Sequence, residues 1–236
     1  MAHVVTIMRK ELYSYFSTPM AYVLMAAFLL GNGWLFAMGV FSGNTDMPDN
    51  TFKNIATLLV LVCPLITMRL LAEEQRQGTL ELLLTSPVRD FELVLGKFLG
   101  SLLFVLLLLF LTIIYFLIML VYGQGDVGTI LSGYLGLVLV SSTFVAVGLF
   151  LSALTQSQVV AGLLSFVVLL VMWGLSRVSL AIGPPLGLFL SYLGLGGHLS
   201  SMALGLVETK DLVFYLSVTV GFLALTAFYL ETRRWR

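Results

Sequence analysis

Charge is scarce in this sequence. Lys, Arg, Asp and Glu together make up 10% of 236 residues, while apolar residues reach 59% and the mean hydropathy is +1.05. A soluble domain of this size needs far more charge to cover its surface, so the chain reads as an integral membrane protein. There is one cysteine, Cys63, which excludes an internal disulfide and a cysteine-based metal site; beside Pro64 in an apolar run it reads as a small packing residue. The two histidines, His3 and His198, fall on opposite sides of the membrane in the topology derived below, so they share no metal. Ten methionines are scattered and read as packing residues rather than a copper site. Twelve basic residues balance twelve acidic ones; a net charge of zero assigns no partner, and no nucleic-acid partner is expected.

Two nucleotide-like patterns also fall away. Gly123-Gln-Gly-Asp-Val-Gly128 has the G-x-G-x-x-G form, but it lies between two spans with no strand or βαβ unit around it. Gly96-Lys97 lacks the upstream glycine and the following Ser or Thr of a phosphate-binding loop, so the chain is not expected to bind ATP by that motif. No catalytic residue, cofactor or metal is assigned to it.

What is present is length of apolar sequence. A membrane-spanning helix takes about 20 apolar residues, and six runs qualify, near 20–41, 54–71, 98–122, 129–153, 159–176 and 212–230. The third and fourth are long enough to tilt. No run carries Asp, Glu, Lys or Arg in its central part. With both termini inside, Arg9, Lys10, Arg69, Arg76, Arg89, Lys97, Arg233, Arg234 and Arg236 face the cytoplasm and only Lys53, Arg177 and Lys210 face out, which obeys the positive-inside rule. The fold expected is an all-α integral membrane protein with six transmembrane helices, N-in/C-in.

The first residues do not have the form of a cleavable signal, because the basic pair follows apolar residues and no small-residue cleavage site precedes the first span. From His3 to Phe16 the apolar residues Val4, Val5, Met8, Leu12, Tyr15 and Phe16 fall on one helical arc, with Arg9, Lys10 and Ser14 elsewhere. Ile7 and Tyr13 lie off it. The stripe fits a helix lying flat on the membrane surface or a plain extension of the first span, with Pro19 bending the chain between them.

The densest charge lies in the 29-residue stretch RLLAEEQRQGTLELLLTSPVRDFELVLGK, from Arg69 to Lys97, which holds nine of the chain's charged residues. Gly78 interrupts the helix leaving the second span, and Ser86-Pro87 fits an N-cap followed by Pro at the first helical position. Between them Leu80, Leu83 and Leu84 share a face, with Leu82 nearby. An apolar cluster rimmed by charge fits a docking surface; it equally fits a turn whose leucines dip into the membrane interface. A second unusual segment, 177–211, contains two short apolar pieces separated by Gly194, Gly196 and Gly197, of the length of re-entrant or interfacial segments. His198 sits there, suited either to pH sensing or to a structural role.

The run Met68-Arg69, Glu73-Glu74, Gly78-Thr79-Leu80-Glu81-Leu82-Leu83-Leu84-Thr85, Pro87 and Gly96-Lys97 resembles the signature loop of ABC-2-type transporter permeases. The stretch Gly205 to Tyr215, leading to Arg233-Arg234-Trp235, is similar to the end of the gliding-motility-type branch of that family. The resemblance covers the chain as one transmembrane domain, 1–236. It implies an interfacial helix over 1–18, a cytoplasmic coupling loop over 73–97 and outer re-entrant segments over 177–211, before the last helix. It further implies an exporter subunit that pairs with a second permease, as homodimer or heterodimer, in membrane lipid. Separate ABC ATPase subunits would hold ATP and Mg. The ATPase-coupling interface it implies is Glu73, Glu74, Arg76, Gly78, Thr79, Leu80, Glu81, Leu82, Leu83, Leu84 and Thr85, and the interfacial helix contributes Val4, Met8, Arg9, Lys10 and Leu12. The rival classes are an ion-driven carrier or channel and a non-transporting membrane anchor or force-transmitting subunit of an ATPase complex. The absence of intramembrane ionisable residues weighs against proton coupling. Trp34, Phe104, Tyr115, Phe144 and Trp173 suit an amphiphilic cargo as well as ordinary packing.

Overall fold

The computed structural model describes residues 2–42, 47–79, 89–121, 126–179, 183 and 186–234. Among these the protein is helical, with no strand. The helices are α1 (Ala2–Phe16), α2 (Pro19–Phe41), α3 (Met47–Thr67), α4 (Ala72–Arg76), α5 (Asp90–Leu111), α6 (Ile113–Val121), α7 (Val127–Leu154), α8 (Gln158–Val178), α9 (Leu186–Leu193), α10 (Leu195–Ala203) and α11 (Thr209–Arg234). Six stretches are long and apolar enough to cross a membrane, in the order α2, α3–α4, α5–α6, α7, α8 and α11. They match the six apolar runs of the sequence, but the second span is longer at both ends, Pro48–Arg76 against 54–71, and the third differs at its start and in its interior. The third span begins at Asp90, eight residues before its apolar run, so Lys97 lies within the span rather than ahead of it. The same span is two helices joined at Thr112, whose hydroxyl donates to the Leu109 carbonyl at 2.7 Å and lies 3.0 Å from Tyr134 Oη. The helix start at Ser86-Pro87 lies outside the described residues.

Helix α7 is the centre of the bundle, packed by α3, α5, α8, α10 and α11. Its sequence accounts for this. Small residues let neighbours approach the backbone, which is how helices associate where there is no water to drive them together. Gly133 takes the Phe52 ring and Gly148 takes the Thr67 side chain, each so close that a Cβ would collide. Gly136 would place a Cβ 2.8 Å from Leu199. Ser141 bonds back to the Leu137 carbonyl at 2.6 Å, so its polar atom is satisfied within the helix. Thr143 Oγ1 lies 3.1 Å from Thr219 Oγ1 of α11, a hydroxyl pair buried between spans. Phe104 and Phe144 are buried among the helices, and Tyr115 donates to the Leu29 carbonyl at 2.9 Å. These three act in packing. Trp34 is exposed on the outside of the bundle, and Trp173 donates to Thr57 Oγ1 at 3.2 Å.

The two ends of the bundle differ. At the end where α7 finishes lie α1 and α4; at the end where α7 starts lie α9 and α10, with Ser132 Oγ donating to the Met202 carbonyl at 2.8 Å. The separation of α9 from α10 occurs at Gly194 alone, which abuts Ser176 so tightly that no side chain fits. Gly196 and Gly197 are inside α10, where Gly197 N–H donates to Ser176 Oγ at 2.9 Å.

Helix α1 is held against α5 along a groove made by two glycines one turn apart. A Cβ on Gly96 would stand 2.7 Å from Ile7 Cβ and 3.1 Å from the Val4 carbonyl; on Gly100 it would stand 2.8 Å from Glu11 Cβ. The packed face of α1 is therefore Val4, Ile7, Met8, Glu11, Leu12 and Tyr15, all half-buried or buried, while Val5, Tyr13 and Phe16 are exposed. This differs from the apolar arc of the sequence: the groove brings Ile7 in and leaves Val5 and Phe16 out. Gly96→Val should push α1 from the bundle and cost about 1–3 kcal/mol of stability, the usual range for overpacking a filled site. Thermal unfolding in detergent tests this, and an unchanged midpoint would contradict the close approach.

Candidate functional site

The second span does not run straight into the charged segment. Pro64 lies inside α3 and removes one backbone donor from the ladder, and the helix stops at Thr67. Residues 68–71 are turns before α4 begins at Ala72. A broken helix leaves carbonyls and N–H groups without partners, and this break is buried: Leu70, Leu71 and Ala72 are at most 2% exposed. Unpaired buried backbone groups are costly, so their partners define the site.

Those partners come from three other helices. From α1, the Tyr15 hydroxyl donates to the Ile66 carbonyl at 3.1 Å. From α7, Ser152 Oγ accepts from the N–H groups of Leu71 and Ala72, both at 3.1 Å, and donates to the Met68 carbonyl at 3.1 Å. From α5, Lys97 Nζ donates to the Leu70 carbonyl at 2.7 Å. Gln75 of α4 adds a bond from Nε2 to the Ala153 carbonyl at 2.6 Å. The foot of the second span is thus tied to α1, α5 and α7 at once.

Lys97 is the centre of this arrangement. Its side chain is only 2% exposed, and its ammonium group meets Glu11 Oε1 of α1 and Glu74 Oε1 of α4, each at 2.8 Å. With the Leu70 carbonyl these are three acceptors for three ammonium hydrogens, so no donor is wasted. A charge can be buried this way only when it is paired and its hydrogen bonds are complete. Around the cluster, Tyr15 stacks on Phe104 with centroids 5.0 Å apart, and the Arg69 guanidinium lies 4.9 Å above the Tyr15 ring, in cation–π range. Burial pushes the Tyr15 phenol well above its ordinary pKa, so it stays a hydrogen-bond donor. Lys10 approaches Glu74 at 3.8 Å but is 66% exposed, and such a pair contributes little.

Above the cluster is an open cavity of about 420 Å³. It is lined mainly by polar side chains, among them Lys10, Ser14, Arg69, Glu73, Glu74, Gln77, Thr79 and Lys97. Helix α4 ends at Arg76 with Gln77 as its cap, and Gly78 takes a left-handed conformation at φ +70°, the usual way to stop a helix with glycine.

Of the coupling residues read from the sequence, Glu73, Glu74 and Thr79 line this cavity, with Thr79 Oγ1 3.4 Å from the Glu74 carbonyl, and Gly78 makes the turn just before Thr79. Arg76 is exposed at the end of α4. Leu80, Glu81, Leu82, Leu83, Leu84 and Thr85 lie outside the described residues. On α1, Val4, Met8 and Leu12 are half-buried toward the bundle, and Arg9 and Lys10 are exposed. Sequence reasoning missed Glu11 and Ser152, read Tyr15 only as part of the apolar arc of the first helix, and treated Lys97 as one loop charge among nine. One signal was available: Gly96-x-x-x-Gly100 is a close-packing spacing at the start of the third span, and Lys97 stands beside it.

Six apolar spans and a buried helical core make this a multi-pass membrane protein of the all-α class. Residues 32–235 match the family model described as "ABC-2 family transporter protein"; that match takes in most of the chain, which belongs to the ABC-2 transporter family. As a member it is a transmembrane component rather than a catalyst, consistent with a place in a bacterial cell membrane. A search of curated proteins gives no match.

Replacing Lys97 with Met strands two half-buried carboxylates and the buried Leu70 carbonyl. It should cost about 3–5 kcal/mol, as breaking a buried pair does, and adding Glu11→Gln and Glu74→Gln should recover most of the loss. Denaturant titration of the three proteins in detergent measures both effects. A Lys97→Met variant within about 1 kcal/mol of the parent, as for an exposed pair, would refute the assignment.

Proposed function

We propose that this chain is the membrane-spanning half of an ATP-driven exporter, coupled through α1 and the charged segment 73–97 to a separate ATPase subunit that holds ATP and Mg. The single observation that carries this reading is the Lys97 cluster. It binds α1, α4 and the feet of the second and third spans into one unit, so a force applied to any of these would be delivered to two spans together. Beside it opens a polar cavity from whose rim the chain leads into residues 80–88.

The physical sequence of events is a change of shape without chemistry in the membrane. ATP would close the paired ATPases, the docked segment would follow, and the spans it ends would tilt with it, biasing two states of the transporter through contacts that differ between them. Glu73, Glu74, Arg76 and Glu81 would set the electrostatics of docking, and the leucines of 80–84 would supply apolar contact. A second permease, the same or different, would complete the path across lipid. Placement of α1 and 73–97 on the cytoplasmic side rests on the distribution of basic residues. Export and the gliding-motility-type branch rest on the resemblance of the loop and of residues 205–215.

Mild purification of the tagged chain from its native membrane should bring an ATPase with it, with vanadate-sensitive hydrolysis in the same sample. A folded chain with no ATPase after gentle cross-linking would overturn the reading in favour of an ion-driven carrier or channel. Within the complex, Glu81→Lys should weaken association about tenfold, equivalent to about 1.4 kcal/mol; unchanged co-purification and hydrolysis would remove Glu81 from the interface.

A further inference from the structure

Six charged side chains line the cavity above Lys97: Lys10, Glu11, Arg69, Glu73, Glu74 and Lys97. Four of them are spent on one another, Lys97 on Glu11 and Glu74 at 2.8 Å each, with Lys10 3.8 Å from Glu74. Arg69 and Glu73 are left over. Both are half-buried, and among the described residues neither joins an ion pair. The Arg69 guanidinium rests on the face of the Tyr15 ring, and Glu73 Oε1 accepts from Gln77 Nε2 at 3.2 Å. The cavity therefore presents a fork of donors and a carboxylate, each without a partner of opposite charge among the described residues.

Two apolar grooves start at the same end of the bundle and run along either side of α3. One lies between α2 and α3, holds about 250 Å³ and extends from Met20 to Phe28. The other lies between α3 and α8, holds about 450 Å³ and extends from Val159 to Phe166. Leu61 and Leu65 line both, so they form the ridge that divides them. The first groove continues into a crevice lined by Met20, Leu24 and Leu65 that ends on Tyr15 and Arg69. At the rise of an α-helix, Met20 to Phe28 covers about 12 Å and Val159 to Phe166 about 10 Å. Both lengths are close to one leaflet of a hydrocarbon core about 30 Å thick.

We propose that this chain holds one diacyl phosphatidylethanolamine of the surrounding bilayer, with its phosphate on Arg69, its ammonium on Glu73 and one acyl chain in each groove. A guanidinium fork matches phosphate oxygens, and an ammonium group brings N–H donors to a carboxylate. A zwitterion answers both leftover charges at once. An anionic headgroup would instead leave Glu73 facing a second negative charge. Choline carries the cationic charge but no N–H, and the Tyr15 face that could hold a quaternary ammonium is covered by Arg69. By the distribution of basic residues the lipid belongs to the cytoplasmic leaflet. Such a site needs only this chain and the bilayer, so it stands apart from the exporter reading.

The full chain is equilibrated in nanodiscs holding equal amounts of phosphatidylethanolamine, phosphatidylcholine and phosphatidylglycerol with identical acyl chains, then released gently and weighed by native mass spectrometry. One phosphatidylethanolamine should stay with each chain, enriched about tenfold over phosphatidylcholine, the scale of one hydrogen bond to a charged group. Glu73→Lys should reverse the order in favour of phosphatidylglycerol, and Arg69→Gln should lower the retention of all three. If Arg69→Gln does not fold, the competition on the parent and on Glu73→Lys decides. Equal retention of the three lipids would overturn the proposal, because acyl chains would then fill the grooves with no recognition of the headgroup. An order that Glu73→Lys leaves unchanged would overturn it as well. So would a lipid-free dimer, which would give the grooves to a second copy of this chain.

Discussion

A membrane helix that stops short of the surface exposes its last carbonyls where no water can reach them. In this protein that constraint arises at residues 68–71, at the foot of the second span, and much of the structure at that end answers it. The three side chains that satisfy the break, Tyr15, Lys97 and Ser152, stand on three different helices. Each donates or accepts with geometry that depends on its own helix being in place. Lys97 in turn needs Glu11 and Glu74 to be buried at all. Remove the break and α1 loses the Tyr15 hydrogen bond, Lys97 loses an acceptor, and Ser152 near the end of α7 loses its backbone partners.

The consequence is mechanical. Two transmembrane segments and the N-terminal helix meet in one polar cluster, and the same helix that closes the cluster, α7, runs the length of the bundle to its far end. Both ends of α7 use the same device, a serine hydroxyl reaching a carbonyl of another element: Ser152 to Met68 and Ser132 to Met202. Close contact through Gly133, Gly136 and Gly148 keeps α7 stiffly packed between them. This is continuity of packing, which suits a part that moves as a body rather than one that flexes along its length.

Much of this was legible in the sequence, for a plain reason. Six apolar runs of spanning length leave few alternatives in lipid, so the spans, their order and the membrane class follow from residue 20 onward. The two segments that stood out by composition, the charged stretch and the glycine-split piece near 194–197, are where the Lys97 cluster and the buried His198–Asp211 pair sit. What sequence could not give was which residues meet. Ser152 lies some 80 residues from the backbone it caps, and Tyr15 lies 51 residues from Ile66, distances at which no local period carries information. Lys97 was misread because a charge at the head of an apolar run ordinarily reaches to the surface; two glycines beside it allowed α1 to cover it instead. The face of α1 was likewise set by the α5 groove, which seats Ile7 and Glu11, rather than by the helix's own apolar arc. His198 looked solitary because its partner Asp211 follows a loop and begins another helix.

The central claim is that α1 and the feet of the second and third spans move as one unit when the ATPase acts. Spin labels at Tyr13 on α1 and Phe91 on α5, with a second pair at Tyr13 and Val159 at the start of α8, all exposed positions, measure this directly in the assembled complex. Between the nucleotide-free and vanadate-trapped states, the Tyr13–Phe91 distance should stay fixed while the Tyr13–Val159 distance changes. If the Tyr13–Phe91 distance changes instead, the Lys97 cluster opens during the cycle and the three elements are not a single moving part.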